Sequence, residues 1–556
     1  MWCAWTFALA KSGCRKGLRH TGSISCLSKK RCPMQVKKLA ADAALAIVWP
    51  FGNLLRPRSG QAKITWLTIC FLFAAFSAQA VNRDWNGSVS TNWNVAANWT
   101  PAGVPVAGDV LTLDGAPANQ PVILSGTMAK AARITMFSGS SLTINSGGEL
   151  ELVSPLANTA LATTGTVTNN GTLRIKSGFH GIDNGDNAVF TNNGTILLGE
   201  ATSSPYAFTE EGIRLNATGT ASFINNSTGS INIRRPGNNG ILLFQGSVSF
   251  TNYGQITIQE SGLNPATEGT ADGIDVRRGA FSNETSGVIN ISKIKASGIN
   301  CRTSASMTNK GNMVILDVGL SDLETIQDGL NNTGTFTNTS TGSLSIDKTD
   351  NNGILNQGTI YNSGQMLLGT LYVNSIPNVG LGNLAGFYNY NGASLQIKNA
   401  KTGILTGGLG GVLTNYAGAS ITIGQVTEDG IHQFGLGGTD NRGSLSIGST
   451  GNIGRYGIYN ACQFLNQFGA TLSISNATNI AILNTTETGI DGLFKNSGTI
   501  SLDNTPNVGG AAISNTVNCS FENLFCEAII RITSNNTISN AGTFTNEGSI
   551  IENASG

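Results

Sequence analysis

Charge is scarce in this sequence. Asp, Glu, Lys and Arg supply 12% of its 556 residues, about half the usual share, which excludes a charge-rich disordered chain. Lys+Arg number 33 against 32 Asp+Glu, so no basic excess points to nucleic acid. Proline occurs 13 times and glycine 71 times, far below what a collagen-like chain needs. No Cys-x-x-Cys pair offers a zinc site. No apolar run reaches the roughly 20 residues that span a bilayer. What remains is 40% hydrophobic and 7% aromatic residues, enough for a core, with glycine well above its ordinary 7% or so. Length alone suggests three or four domains; the composition argues for something more uniform.

The near-zero net charge averages two unlike pieces. Residues 1–80 hold twelve bases and one acid, Asp42, which leaves 21 bases against 31 acids in the remainder. At the boundary, Ile64–Ala80 follows Lys63, with an apolar stretch over 64–77, and ends in Ala78-Gln79-Ala80, the small-x-small pattern of a secretory cleavage site. A cleaved signal peptide is expected, with Ala80 as its last residue and Val81 as the first of the mature chain. A retained anchor and a lipoprotein through Cys70 are the alternatives, the second disfavoured by bulky Ile69. The basic stretch before it reads as an extended leader or as a start codon placed too far upstream, with Met34 one alternative. Five of the nine cysteines leave with the leader. Cys301, Cys462, Cys519 and Cys526 remain, too few for a disulfide scaffold, although Cys519 and Cys526 flank a short segment and could bridge locally in an oxidising compartment.

A repeat fills the rest. Its unit is an apolar residue, any residue, Asn, a short Gly turn and then alternating apolar residues, as in Phe190-Thr-Asn192-Asn-Gly-Thr-Ile196. The recurring asparagines are Asn169, Asn192, Asn225, Asn252, Asn283, Asn309, Asn338, Asn362, Asn389, Asn415, Asn441, Asn466, Asn496, Asn523 and Asn546, fifteen copies at intervals of 23 to 33. A second marker, Gly-Ile or a near variant, runs in step from Gly181 to Gly457. Each unit reads as short strands with period-two alternation broken by turn residues, and no helical periodicity appears after Val81. Hairpin units would need a strong turn pair at every reversal. A coil of about three strands uses about 27 residues naturally, and stacked coils pair equivalent strands in parallel at about 4.8 Å. The expected fold is all-β: a single-stranded parallel β-helix, right-handed by analogy with crossover chirality, of about 15 or more coils over residues 126–556.

The markers then acquire physical roles. Phe190, Phe223, Phe250, Phe281, Phe336, Phe387, Phe464, Phe494, Phe521 and Phe544 are expected in an internal column, and the asparagines in a hydrogen-bonded ladder at the turn. Residues 81–125 differ, with all three tryptophans of the mature chain, and suit a cap over the first open edge; a sugar-stacking platform is the alternative. The segment Asp84-Trp85-Asn-Gly, Asn92-Trp93, Asn98-Trp99-Thr-Pro101 and Val104-Pro105, continued by Asn119-Gln120-Pro121-Val122-Ile123 and Gly139-Ser-Ser-Leu142-Thr-Ile144-Asn-Ser-Gly147-Gly148, resembles secreted, adhesin-like β-helix proteins of the Bacteroidetes type. The resemblance implies export and architecture more than activity. Many members of that group end in an immunoglobulin-like sorting domain, whereas this sequence stops at Gly556 inside a repeat.

Chemistry is sparse. Glu211, Asp272, Asp328 and Asp429 each precede the Gly of a Gly-Ile or Gly-Leu pair and would share one edge of the β-helix. Three of them recur on every second coil, about 10 Å apart, too far for retaining carboxylates and marginal for inverting ones. Acid-Gly is also an ordinary turn pair, and calcium is a third possibility. Asp275 with Arg277 and Arg278 is the best acid–base cluster. His180 and His432 stand about ten coils apart and share neither a metal nor a triad. Gly407-Gly408-Leu-Gly410-Gly411 reads as a turn. Tyr388, Tyr390 and Tyr416 would lie in neighbouring coils and form an aromatic strip for glycans, or simply pack.

The sequence therefore predicts a non-catalytic secreted or cell-surface protein, adhesin-like or a structural shaft. Its expected partners are extracellular glycans or molecules of host or neighbouring cell surfaces, with no cofactor, no metal, no nucleic acid, and membrane contact only through the signal peptide. The competing readings are a polysaccharide lyase or hydrolase on the same fold, and a surface-layer or filament subunit. Fold alone does not choose among them.

Overall fold

Runs such as Thr195-Ile-Leu-Leu198 and Ser343-Leu-Ser-Ile346 bury every second residue, which a helix could not do and a strand does by construction. A computed structural model describes residues 80–199, 206–262, 271–319, 327–373, 375–408, 410–503, 511–533 and 537–552, so the predicted leader up to residue 79 lies outside the described residues. These are almost wholly β, with one short 3-10 turn at Ala96–Asn98. One coil runs through Ile182–Asn184, Val189–Asn192 and Thr195–Leu198. In the next, Ile182 pairs with Ile213, Phe190 with Phe223, Asn192 with Asn225 and Ile196 with Ile231, all in parallel. The molecule is thus a parallel β-solenoid with three sheet faces, named here first, second and third in the order the chain visits them.

The third face contains seventeen strands, from Met128–Ala131 to Ser549–Glu552. At about 4.8 Å per strand this makes a shaft of about 77 Å. It exceeds the fifteen asparagine copies because two strands precede the ladder: Ile144 stands in register with Asn169. Parallel pairing begins earlier still, since Asn82–Trp85 pairs with Val110–Leu113 and that strand with Arg133–Met136.

Two kinds of residue hold each coil on the next. Phe190, Phe223, Phe250 and Phe281 stack at 4.5, 4.8 and 5.0 Å with nearly parallel rings, as do Phe464, Phe494, Phe521 and Phe544. Met307, Ile360 and Leu413 fill the same column between the runs. Each fully buried side chain contributes roughly 1.5–3 kcal/mol. Beside them the fifteen asparagines form one continuous row. Each Nδ2 donates to the Oδ1 of the next coil's asparagine, from Asn169 to Asn192 at 2.7 Å through Asn309 to Asn338 at 2.9 Å to Asn523 and Asn546 at 2.7 Å. Every amide except that of Asn546 is buried. The same Nδ2 also donates to a turn carbonyl, as Asn338 does to Gly342 and Gln365, so both hydrogens of a buried amide are used.

A second ladder runs on the first face, where the sequence showed only the Gly-Ile marker. Asn332, Asn356 and Asn383 are linked at 2.8 Å, and Asn460, Asn484, Asn515 and Asn540 at 2.7 Å. The Gly-Ile marker itself is steric. A Cβ on Gly273 would stand 2.5 Å from the Gly298 carbonyl and 2.6 Å from the Ile291 Cγ2. Only glycine lets the turn lie this close to the next coil and to the third face.

Replacing Asn338 with Ala removes an acceptor from Asn309 and strands buried groups, each at about 1–3 kcal/mol. The expected outcome is a lower denaturation midpoint for N338A, with a much smaller effect for the exposed end of the row, N546A. Equal midpoints for N338A and the parent chain would contradict the ladder's role.

Candidate functional site

The row of acids before the glycines faces inward. Glu211, Asp272, Asp328 and Asp429 are all buried, and each is occupied by protein. Asp272 Oδ1 accepts the Ser297 N–H at 3.0 Å, Asp328 Oδ1 the Asn352 N–H at 3.3 Å, and Asp429 Oδ1 the Tyr456 N–H at 3.3 Å. The neutral members of the row do the same: Asn239 Oδ1 takes the Asp272 N–H and Asn352 Oδ1 the Val379 N–H. These oxygens satisfy the backbone of the following coil, as an Asx turn does within one loop. Glu211 instead meets His180 Nδ1 at 2.9 Å and accepts from Asn238 Nδ2 at 3.0 Å. Arg214 lies 3.0 Å from His180 Nε2. His180 is buried in this network. Among the described residues no group of three or more His, Cys, Asp or Glu is placed to hold a metal ion.

Asp275 is likewise consumed. Its buried carboxylate accepts from Arg277 Nε at 2.7 Å and from Arg302 Nε and Nη2 at 2.9 and 3.0 Å. The sequence named Arg277 and Arg278 as its partners. Arg277 is one, Arg302 of the next coil is the other, and Arg278 turns away without a hydrogen bond or ion pair among the described residues. The guanidinium of Arg277 also lies 5.4 Å from the ring of half-exposed Phe244. Burial, with the Asp275 charge nearby, pushes the Asp272 carboxyl up to about 7.

The tyrosines do come together, and with a fourth that the sequence reading missed. Tyr361 stacks on Tyr388 at 5.6 Å, and Tyr390 on Tyr416 at 4.9 Å and 7°. Tyr361 also reaches Tyr390 at 6.2 Å, and Arg442 lies over Tyr416 at 5.7 Å while paired with Asp440. The rings cover one another's faces, so this half-exposed strip offers edges and hydroxyls rather than open planes. Trp85, Trp93 and Trp99 are buried in edge-to-face contact at 4.9 and 4.8 Å. Burial excludes them as a sugar platform and leaves them a packing role.

Three further positions can be described. Cys519 and Cys526 are both free, one buried and one exposed. The strand Ser520–Asn523 lies between them, and the expected bridge is not formed. Gly408 adopts φ +77° in its turn. At the expected cleavage point, the Val81 N–H donates to Asp109 Oδ1 at 2.9 Å, and Asp109 also pairs with Arg83.

One cluster was invisible in the sequence. His432 Nδ1 lies 2.8 Å from Asp429 Oδ2, and its ring stacks on Tyr459 at 4.3 Å. Arg455 Nε donates to Asp429 Oδ1 at 2.8 Å. Glu487 comes from a small antiparallel hairpin, Thr486–Glu487 with Ile490–Asp491, and brings Oε2 to 3.6 Å from His432 Nε2. Arg455 and His432 hold the Asp429 carboxyl below its usual range despite burial. Acid, imidazole and phenol from three coils thus meet beside a loop.

Comparison with known proteins adds little. Residues 84–201 match a family described as a domain of unknown function (DUF8693). No curated protein matches the sequence. A crystal structure of a TibC-catalyzed hyper-glycosylated TibA55-350 fragment aligns at 15% identity over 86% of this chain and 98% of that one, with a TM-score of 0.15. At that score the likeness carries no argument about this chain.

Asp272 supplies a pH test. Unfolded, an aspartate ionises near 4; folded, Asp272 keeps its proton to about 7. The native state therefore binds the extra proton across that window, and this residue's contribution to stability falls as pH rises from about 4 to about 7. D272N is expected to flatten the decline in melting temperature between pH 5 and pH 8. Parallel profiles for the two chains would refute the assignment.

Proposed function

We propose that the chain is an extracellular or cell-surface shaft that binds glycans or neighbouring cell-surface molecules and does not catalyse. The observation that carries this reading is the fate of the acids: along the described coils, Asp272, Asp275, Asp328 and Asp429 satisfy backbone or arginine groups of the fold. They are not left as an open pair for acid–base work. Export follows from the segment before Val81, and the acid excess beyond it suits solubility outside the cell.

Contact with a partner is assigned to the tyrosine strip. Because the rings of Tyr390 and Tyr416 already face each other, a sugar would meet their hydroxyls together with Asp440 and Arg442 instead of stacking on a bare plane. The mature chain, Val81–Gly556, incubated with a panel of neutral and acidic polysaccharides, is expected to retain neutral polymers without producing new chain ends. Tyr388→Phe, Tyr390→Phe and Tyr416→Phe together should weaken that retention at least fivefold while leaving the melting temperature in place. Unchanged retention would remove the strip from the account.

A second reading has one observation in its favour, the convergence of Asp429, His432, Arg455 and Glu487 beside the 486–491 hairpin. There Asp429 would orient His432 for proton transfer, and Glu487 would repel an anionic substrate, so the class would be a hydrolase of neutral glycans. New chain ends in the same panel, lost on His432→Ala, would replace the binding reading with this one.

A further inference from the structure

In four successive coils the first and second faces are joined without a break by the long strands Ile213–Asn225, Ile241–Asn252, Ile274–Asn283 and Ile299–Asn309. The corner they share is built of small residues. Gly246 and Gly279 adopt φ +81° and +82° there, and a Cβ on Gly279 would stand 2.9 Å from the Val248 Cγ2. The result is an open trough of about 640 Å³ lined by Thr218, Ser247, Ser249, Arg278, Ser304 and Ser306. Four coils give it a length of about 14 Å along the shaft, enough for a chain of several groups rather than one ion.

Charge distinguishes this place. Beyond residue 80 the chain has ten more acids than bases, yet the charged residue lining the trough is an arginine. Its charged neighbours are already engaged: Arg277 and Arg302 share Asp275, Arg214 pairs with Asp183, and the Asp186 carboxylate accepts from Thr218 and the Gly219 N–H. Among the described residues exposed Arg278 has no such partner, and around it stand hydroxyls that both donate and accept. A polymer of phosphates would call for several free cations. A single fork-shaped cation amid hydroxyls fits a carboxylate on a polyhydroxylated chain.

We propose that this trough binds an acidic polysaccharide, Arg278 taking the carboxylate of one uronate residue and Ser247, Ser249, Ser304 and Ser306 meeting the hydroxyls of its neighbours. The proposal rests on the reading of the chain as a glycan-binding module and adds a second site and a substrate class to it. The tyrosine strip and the trough lie on different coils, so the two are separable.

The test uses the mature chain with polygalacturonate and alginate tetramers, their carboxyl-reduced counterparts, and the neutral polymers in the same titration series. The expected result is salt-sensitive binding of at least one uronate tetramer, at least tenfold weaker after carboxyl reduction and at least tenfold weaker in Arg278→Ala. Ser304→Trp, which fills the trough at an exposed position and leaves Arg278 intact, should lose binding as well. Melting curves of both variants should match the parent, since neither side chain is buried. Uronate binding unchanged in both variants overturns the proposal, as does failure of both tetramers to bind. Neutral polymers retained without uronate binding overturn the trough alone, whereas loss of both overturns the glycan-binding reading on which it rests.

Discussion

A residue in the described coils must tolerate an equivalent residue one strand spacing above and below it. That constraint selects what the chain contains. Asparagine suits it because one amide both donates and accepts, so a column of them closes its own hydrogen bonds, as the row from Asn169 to Asn546 does. Phenylalanine suits it because rings stack in offset parallel fashion at nearly the strand spacing. Glycine suits the tightest corner, where any Cβ would strike the next coil. Charged residues stack poorly on themselves, which gives a physical reason for their scarcity. Where they occur, as at Asp275, opposite charges from adjacent coils are interleaved.

The same constraint separates structural from exposed polar groups. Buried carboxylates on the turn edge are committed to backbone N–H groups of the next coil, and leaving such a group unmade costs more than making it gains. Departures from repetition are therefore the places to look for function. Three stand out: the stacked tyrosines near Tyr390, the hairpin that carries Glu487 over His432, and the widened corner beside Arg278.

Legibility in the sequence followed the strictness of the stacking. Asn192, Asn225 and Asn252 announced the second face because the same amide recurs in every coil from Asn169 to Asn546, and Phe190, Phe223 and Phe250 two residues before them marked its core side. The ladder of the first face was hidden because its position also accepts apolar residues: Leu215, Leu243, Val276 and Cys301 occupy it before Asn332. The acids before glycine were legible as turn residues, but their bonds to the following coil were not. Arg302 was missed as the partner of Asp275 because it lies 27 residues away, and Arg278 was included because it is adjacent in sequence while the strand turns it to the other side. Glu487 reaches back across two coils from a hairpin that breaks the repeat, and periodicity does not disclose such a reach.

If stacking of equivalents is the governing interaction, coils should detach singly and in succession, each held mainly by its neighbours. Single-molecule extension of residues 81–556 by their ends reads this directly. The account predicts a series of force peaks separated by contour increments of roughly 95 Å, one per coil of about 27 residues. A single all-or-none release of the whole length, or featureless extension at low force, would contradict it.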